Sequence, residues 1–102
     1  MAYVLRLHEK AYEEYIAAYE WYEMCRQGLG GRFMNCVEER LQQISENPEY
    51  FGKRQGNYRA VKVQHFPYLI VYEIFKKKEL IHIAAIYHGR RNPKRQFRKL
   101  KD

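Results

Sequence analysis

The chain has 102 residues and a formal net charge of +7, and 46% of its residues are hydrophobic. This length suffices for one hydrophobic core, so we expect a single domain over residues 1–102, ending in a basic tail from about residue 94. The apolar content excludes general disorder, and no apolar run approaches the roughly 20 residues that a membrane helix needs. We therefore expect a folded, cytoplasmic protein without a membrane segment.

Charge is divided unevenly along the chain. Residues 1–51 contain five Lys and Arg against nine Glu, a net charge of −4, whereas residues 52–102 contain fourteen Lys and Arg against three acidic residues, a net charge of +11. Such a field attracts polyanions, either nucleic acid or an acidic protein surface. The second half is thus where we expect function, although basic residues that serve only solubility would produce the same pattern.

The first half of the sequence predicts a strand and two helices. Residues Tyr3–Leu7 alternate as in a short strand, and apolar residues then recur at helical spacing from Glu9 to about Gln27. Two apolar stripes merge on this helix, so we expect it to pack against two neighbours. The tight connection Gly28–Gly31 leads into a second helical pattern that ends at Asn47, before a proline. The two helices should form an antiparallel hairpin.

The second half predicts three strands after a loop over Pro48–Asn57. The strands are the β-type runs Tyr58–Gln64, Tyr68–Phe75 and Leu80–His88. Four residues separate the last two runs, which indicates a hairpin, and the middle run is apolar on both faces, which places it at the centre of the sheet. The predicted fold is α+β, in the order β-α-α-β-β-β, with an antiparallel sheet and the helical hairpin on one face. The first strand can pair antiparallel with the second.

Hydrophobic patterning also predicts the core. The residues on the apolar stripes and the central strand that we expect to be buried are Trp21, Tyr22, Phe33, Val37 and Ile70. The two cysteines, Cys25 and Cys36, match neither a disulfide framework nor a metal or redox motif, so we expect free, buried thiols.

Several kinds of chemistry are excluded by residue counts. The chain has one Ser, no Thr and a single Asp at its last position, so a Ser/His/Asp triad is impossible. Its four histidines lack ligand spacing, so we expect neither a metal site nor a cofactor. The glycines of Gly28–Gly31 join two helices and do not follow a strand, which argues against a phosphate-binding loop.

The remaining candidates for function are cationic and aromatic residues near the ends of the last strands. A surface that grips a polyanionic or protein target is predicted from Arg59, Lys62, His88, Arg90, Arg91, Lys94 and Arg95. Arg59 and Lys62 fall on opposite faces of their strand, and Arg59 shares the face of the neighbouring valines. An inward arginine is costly unless paired, so Arg59 is either a salt-bridge partner, for instance of Glu73, or a site residue. Core packing is an alternative role for Tyr87, and for His82 it is the favoured one.

Five motifs in order resemble a known family. They are Trp21-Tyr22-Glu23 with Gly28-Leu29-Gly30-x-Arg32-Phe33, Asn47-Pro48, Tyr58-Arg59, Phe66-Pro67-Tyr68 and Tyr87-His88-Gly89-Arg90-Arg91-x-Pro93. Together they are similar to the ParE-like, plasmid-stabilisation branch of the RelE/ParE toxins, over roughly Glu9 to Pro93. The resemblance implies a growth-inhibiting toxin of a type II toxin–antitoxin system. It also implies a small acidic antitoxin as partner, with a heterotetramer as one possible assembly.

The resemblance leaves two activities open. ParE-like members inhibit DNA gyrase without a known catalytic centre, and the local motifs favour this branch. RelE-like members cleave messenger RNA in the ribosome, and the residues available here for that chemistry are Arg59, Tyr87, His88 and Arg90. A third hypothesis, from a different class of protein, is a non-toxic nucleic-acid-binding module, which would bind naked nucleic acid with a steep salt dependence.

Overall fold

The computed structural model describes residues 2–90, which form two helices and one five-stranded sheet. The elements in chain order are β1 (Val4–Leu7), α1 (Glu9–Cys25), α2 (Leu29–Glu46), β2 (Lys53–Gln55), β3 (Tyr58–Lys62), β4 (Tyr68–Phe75) and β5 (Leu80–His88). A single 3-10 turn, Lys76–Lys78, joins the last two strands into the predicted hairpin. The α+β class and the helical hairpin packed on the sheet are therefore confirmed.

The sheet has the strand order β1-β5-β4-β3-β2. Its centre is β4, as predicted from the two apolar faces of that run. The pairs β2–β3, β3–β4 and β4–β5 are antiparallel, whereas β1 lies parallel to β5. The sheet is therefore mixed, and the prediction that the first strand pairs antiparallel with the second was wrong.

Two sets of contacts fix the position of β1, one with β5 and one with the end of α2. Its inward residues Leu5 and Leu7 lie in register with Ile81 and Ile83 of β5, so the four apolar side chains extend one buried face. The chain before β1 is fixed to the end of α2, where the Tyr3 amide donates to the Ser45 carbonyl at 3.0 Å. The other edge of the sheet, where an antiparallel partner was expected, is occupied by β2.

The strand β2 falls inside the segment that was predicted to be a loop. It has three residues, Lys-Arg-Gln, all exposed, and pairs with β3 through an irregular register in which Lys53 faces Arg59. The sequence offers no apolar alternation here, and Gly52 and Gly56 flank the strand. Its existence depends on the backbone hydrogen bonds of β3 and not on its own side chains.

Helix α1 packs against both α2 and β5, which confirms that it has two neighbours. It begins at His8, whose Nδ1 accepts from the Lys10 amide at 3.0 Å, and it buries Ala11, Tyr15 and Ala18. Trp21 is 58% exposed, so its assignment to the core was wrong. The buried stripe is narrower than the merged arc expected from the sequence, and Trp21 lies beside it, towards solvent.

The connection between the helices is shorter than predicted, because α2 already begins at Leu29. Only Gly28 adopts a left-handed backbone, with φ of 89°. The Glu23 carboxylate accepts from the amides of Gly28 at 2.9 Å and Gly30 at 3.0 Å. It thereby satisfies donors at the N-terminus of α2 that no residue of the helix itself can pair. Gly30 is required because a Cβ there would lie 2.6 Å from the Tyr19 carbonyl oxygen.

The helices and the sheet enclose one main core. Phe33, Val37 and Ile70 are fully buried, as predicted, and Tyr22 is half-buried against the same cluster. The ring of Phe33 lies 5.2 Å from that of Tyr22 and 5.1 Å from those of both Phe66 and Tyr68. Most of the aromatic residues in the family motifs therefore meet in one packed group.

Of the two cysteines, which are both free, Cys36 is buried as expected. Cys25 is exposed, so the prediction of a buried thiol was wrong for that residue. Its position at the last turn of α1 carries it past the point where the helix contacts its neighbours.

A β-bulge in β5 changes which residues face the helices. Val71 pairs with Ala85 and Tyr72 pairs with Ile83, so Ala84 is an extra residue without a partner on β4. The amide of Ile86, just after the bulge, donates to the Glu14 carboxylate of α1 at 3.1 Å. Because the bulge shifts the alternation by one residue, the last part of β5 presents Tyr87 on the face of the sheet that the helices do not cover.

Candidate functional site

The face of the sheet opposite the helices carries a second apolar cluster. Val71, Ala84, Ala85 and Tyr87 are buried there, with Tyr58, Ala60 and Leu69 packed around them. We call this surface the open face, because neither α1 nor α2 lies on it. The sheet therefore has a second structured surface, built by β3, β4 and β5, outside the helical layer.

Polar and charged groups surround the apolar cluster. Lys62 is exposed and lies in register with Leu69, so it projects from the open face. Burial raises the pKa of Tyr87, while the nearby positive charge of Arg54 acts in the opposite direction. Burial also raises the pKa of Tyr58, and the negative charge of Glu73 adds to the effect. Both phenols therefore stay protonated at neutral pH and serve as hydrogen-bond donors rather than as bases.

Tyr87 and His88, two of the four residues considered for RNA cleavage, lie on opposite faces of the sheet. His88 lies in register with Tyr68, whose ring belongs to the helix-side core, at a centroid distance of 5.5 Å. The Nδ1 of His88 accepts a hydrogen bond from the Arg90 amide at 3.2 Å. Consecutive residues of a strand point to opposite sides, so the Tyr87 hydroxyl and the His88 imidazole do not converge on one substrate atom.

Arg59 points to the helix-covered face. This was predicted, because Arg59 shares a face with Val61 and Val63. It lies in register with Tyr72, and its guanidinium donates to the Phe51 carbonyl at 2.6 Å and the Glu49 carbonyl at 3.3 Å. Glu73 faces the other side of the sheet, so the suggested pairing of Arg59 with Glu73 was wrong. The structure therefore uses Arg59 to hold the segment before β2 and separates it from Lys62 and Tyr87.

The remaining predicted target-binding residues follow β5. Arg90 is exposed just beyond the strand, in a turn where the Gly89 amide donates to the Pro67 carbonyl at 2.8 Å. Arg91, Lys94 and Arg95 lie outside the described residues. Of the predicted surface, the structure thus places Lys62 on the open face and Arg90 at the end of β5, and it places Arg59 and His88 on the other side of the sheet.

His82 also lies on the face of the sheet opposite the helices, and the sequence predicted only a structural role for it. His82 is fully buried, as expected, and lies in register with Arg6 of β1 and Glu73 of β4. Neither of its ring nitrogens has a hydrogen-bond partner among the described residues. Burial, with smaller contributions from the neighbouring His8 and Arg6, lowers the pKa of His82 to about 4. The side chain is therefore a neutral imidazole at physiological pH.

Two structural absences concern the described part of the chain. Within residues 2–90, no three His, Cys, Asp or Glu side chains come together in a way that would hold a metal ion. Over the same residues, neither helix is both long enough and apolar enough to span a bilayer.

The fold is shared with toxins of bacterial toxin–antitoxin systems. A protein of the chromosomal ParDE system of P. aeruginosa superposes with a TM-score of 0.72 and 14% identity, over 85% of this chain and 96% of that one. The E. coli RelE toxin, as a double-arginine mutant in the free state, gives 0.67 and 21%, over 88% and 86%. The intact E. coli RelBE toxin–antitoxin complex contains a chain that gives 0.68 and 19%, over 88% and 100%.

A family model gives the more specific assignment. The model for the ParE toxin of the type II toxin–antitoxin system parDE matches residues 5–93. The chain belongs to this family of toxins. No curated protein sequence shows a significant match to it. The family resemblance that the five motifs indicated is thereby confirmed.

Proposed function

We propose that this toxin arrests growth by binding DNA gyrase through the open face and the basic residues around the end of β5, without catalysing a reaction. The observation that carries the proposal is the dispersal of the groups that RNA cleavage would need. Tyr87 and His88 lie on opposite faces of the sheet, and Arg59 is engaged with two backbone carbonyls. General acid–base catalysis needs such groups within hydrogen-bond reach of one reacting site.

The form of the open face suits a protein target. Its centre is apolar and buried, and its margin has the exposed cation Lys62. Protein interfaces combine an apolar centre with a polar rim, and a few central side chains supply most of the binding energy. Under this proposal Tyr87 is a central contact, and Lys62 with Arg90 and the following Arg91, Lys94 and Arg95 add charge complementarity to an acidic surface of the target.

Ribosome-dependent cleavage of messenger RNA is the second candidate, and one observation favours it. The positive charge of Arg54 acts on the Tyr87 phenol from the same surface that bears Lys62. A phenol beside cations is a possible proton donor to a leaving group, and the cations would stabilise developing negative charge. The raised pKa of Tyr87 argues against its use as the base.

The antitoxin is proposed to be a small acidic protein. Among the similar structures are a RelBE toxin–antitoxin complex and an E. coli RelE mutant bound to an antitoxin RelBc peptide. The net charge of +11 in residues 52–102 of this chain suits an acidic partner. Two copies of each protein in a heterotetramer would fit such a pairing, and a role in plasmid stabilisation would follow from the release of the toxin when the antitoxin is lost.

Single substitutions distinguish the two activities. The measurement is growth arrest after induced expression of each variant. Tyr87→Phe removes only the phenolic oxygen and keeps the packing of the ring, so a gyrase-binding toxin should retain most of its potency. A ribonuclease that uses this phenol as its acid should lose on the order of 10² or more in rate. Lys62→Glu, which reverses a charge on the open face, should weaken a binding toxin. Full loss of toxicity in Tyr87→Phe, at equal soluble expression, would rank the ribonuclease first.

A further inference from the structure

A groove on the helix side of the molecule lies where α2 ends, away from the open face. Its volume is about 400 Å³. Its lining combines two aromatic rings, one cation and several amide or carboxylate groups, namely Arg40, Gln43, Glu46, Asn47, Tyr50 and Phe51. Ligand pockets in proteins begin at roughly 300 Å³, so a planar ring with a sugar attached is within its capacity.

The loop that forms one wall of the groove is fixed from inside the fold. The hydroxyl of the fully buried Tyr72 donates to the Pro48 carbonyl at 2.6 Å, and Arg59 donates to the Phe51 carbonyl at the same distance. These bonds hold the backbone on both sides of Tyr50, whose side chain is 75% exposed. An exposed aromatic ring on a fixed loop loses little conformational entropy when it binds a ligand.

The aromatic and cationic planes of the groove are also held in place. The rings of Tyr50 and Phe51 are perpendicular, with centroids 5.2 Å apart, and the Arg40 guanidinium lies 5.7 Å from the Phe51 centroid. Arg40 is itself fixed, because its Nε donates to the Lys62 carbonyl at 2.9 Å and one terminal nitrogen donates to the Gln43 amide oxygen at 2.8 Å. Exposed aromatic faces beside a guanidinium are the groups on which unpaired bases stack.

The polar rim of the groove offers both donors and acceptors. The Asn47 side chain has no hydrogen bond to any described residue, so its amide and oxygen remain available. The Glu46 carboxylate accepts one bond from Gln42 at 2.9 Å and has further acceptor capacity. Glu49, in the loop after α2, is paired with Lys76 at 3.2 Å, which offsets its repulsion of an anionic ligand.

We propose that this groove binds a nucleobase, stacked on Tyr50 and hydrogen-bonded at its edge by Asn47 and Arg40. The base belongs either to a free nucleotide or to a single-stranded nucleic acid, since both present the same ring and both carry phosphate. The proposal is independent of gyrase inhibition, because none of the groove-lining residues lies on the open face.

The test uses the purified full chain and two probes. Fluorescence anisotropy measures binding of a labelled single-stranded oligoribonucleotide of about ten nucleotides, a length within the range that one small domain covers. Backbone amide chemical shifts of the non-proline residues in 46–51, measured by NMR, report binding of the four free nucleoside monophosphates. The variants are Tyr50→Leu, Tyr50→Phe and, as a matched control, Tyr12→Leu, which removes another exposed tyrosine from α1.

We expect Tyr50→Leu to weaken binding by about tenfold, the usual effect of losing one stacked base, with Tyr50→Phe and Tyr12→Leu close to the wild type. Shifts with monophosphates alone identify a free nucleotide as the ligand, and binding that needs the strand identifies a polynucleotide. Equal effects of Tyr50→Leu and Tyr12→Leu, or unshifted amides in 46–51 with both probes, would overturn the proposal. A Tyr50→Leu defect confined to gyrase or antitoxin binding would make the groove a protein contact and would overturn it as well.

Discussion

At the scale of single residues, His82 illustrates how burial without a partner shapes stability. It lies between β1 and β4, close to His8 and Arg6, with no hydrogen bond from either ring nitrogen to a described residue. A protonated imidazole at this position would place a positive charge beside Arg6 in a site closed to solvent. The fold therefore tolerates only the neutral form, and this has a measurable consequence in acid.

We predict that His82 makes the protein less stable as the pH falls from about 6.5 to about 4. Over this window the unfolded chain binds a proton at His82 and the folded protein does not, because its folded pKa is about 4. The free energy of unfolding should decrease by up to about 1.4 kcal/mol per pH unit from this residue. Urea unfolding at several pH values measures the slope, and His82→Leu should make it shallower. Equal slopes for the two proteins would show that the imidazole is solvated.

A second residue-scale lesson concerns Arg59. The sequence indicated correctly that it points inward, because at a spacing of two residues it shares a face with Val61 and Val63. It gave no sign of the partners, since these are the backbone carbonyls of Glu49 and Phe51 and not a carboxylate. Backbone acceptors have no side-chain signature, so pairing rules based on residue type favoured Glu73, which faces the opposite side.

At the scale of elements, the motifs that carry the family resemblance are mostly determinants of packing. Phe33 contacts the rings of Tyr22, Phe66 and Tyr68, and Glu23 caps the amides at the start of α2. These contacts join α1, α2 and the turn before β4. These residues therefore identify the fold and the family more reliably than they identify the activity.

The glycine pair at the start of α2 gives a matched prediction. Gly30→Ala places a methyl group 2.6 Å from the Tyr19 carbonyl oxygen, so the helices must separate, whereas nothing lies within 4 Å of a Cβ at Gly31. We expect Gly30→Ala to cost about 1 to 3 kcal/mol through this overpacking. Gly31→Ala should be neutral or stabilise by up to about 1 kcal/mol, because alanine favours the helix. Thermal unfolding of the two variants measures this difference in stability. Equal midpoints would contradict the close approach of the two helices.

Burial along α1 and α2 gives a further comparison, between Trp21 and Phe33. Trp21 is 58% exposed and Phe33 is fully buried. We predict that Phe33→Ala costs about 3 to 5 kcal/mol and that Phe33→Leu costs less, whereas Trp21→Ala costs about 1 kcal/mol or less. Denaturant unfolding measures all three, and the leucine variant keeps the comparison possible if the alanine variant does not fold. A large cost for Trp21→Ala would show that the tryptophan is covered in solution.

How far the sequence predicts these elements depends on the source of their stability. The helices and the strands β3, β4 and β5 have strong hydrophobic periodicity, and their bounds were predicted to within a few residues. The strand β2 has no apolar residue and forms only as an edge on β3. The side on which β1 pairs depends on the anchor between Tyr3 and Ser45, a contact of 42 residues in sequence separation that no local pattern reveals.

The candidate site was predictable only in part for a related reason. The basic second half directed the site prediction to the region in which Lys62 projects from the open face. Tyr87 and His88 were considered together, and as neighbours in a strand they point to opposite faces of the sheet. The bulge at Ala84, which decides which of the two reaches the open face, is set by the pairing of β5 with β4 and has no signature in the sequence.

At the scale of the whole molecule, the separation of charge predicts how the antitoxin associates. Residues 52–102 have a net charge of +11, so an acidic partner is attracted over long range. We expect the association rate with the proposed acidic antitoxin to fall by on the order of tenfold between low and high salt. The dissociation rate should change much less. Stopped-flow mixing at several ionic strengths tests this, and a salt-independent association rate would show that apolar contacts alone guide the encounter.

We have proposed that this ParE-family toxin acts by binding DNA gyrase. Supercoiling of relaxed plasmid by purified gyrase, measured with increasing amounts of the purified chain and no ribosomes, tests it most directly. We predict dose-dependent loss of supercoiling that the antitoxin reverses and that Lys62→Glu weakens. Unimpaired supercoiling, together with codon-phased cuts in ribosome-bound messenger RNA that disappear in Tyr87→Phe, would contradict the claim and assign the toxin to RNA cleavage.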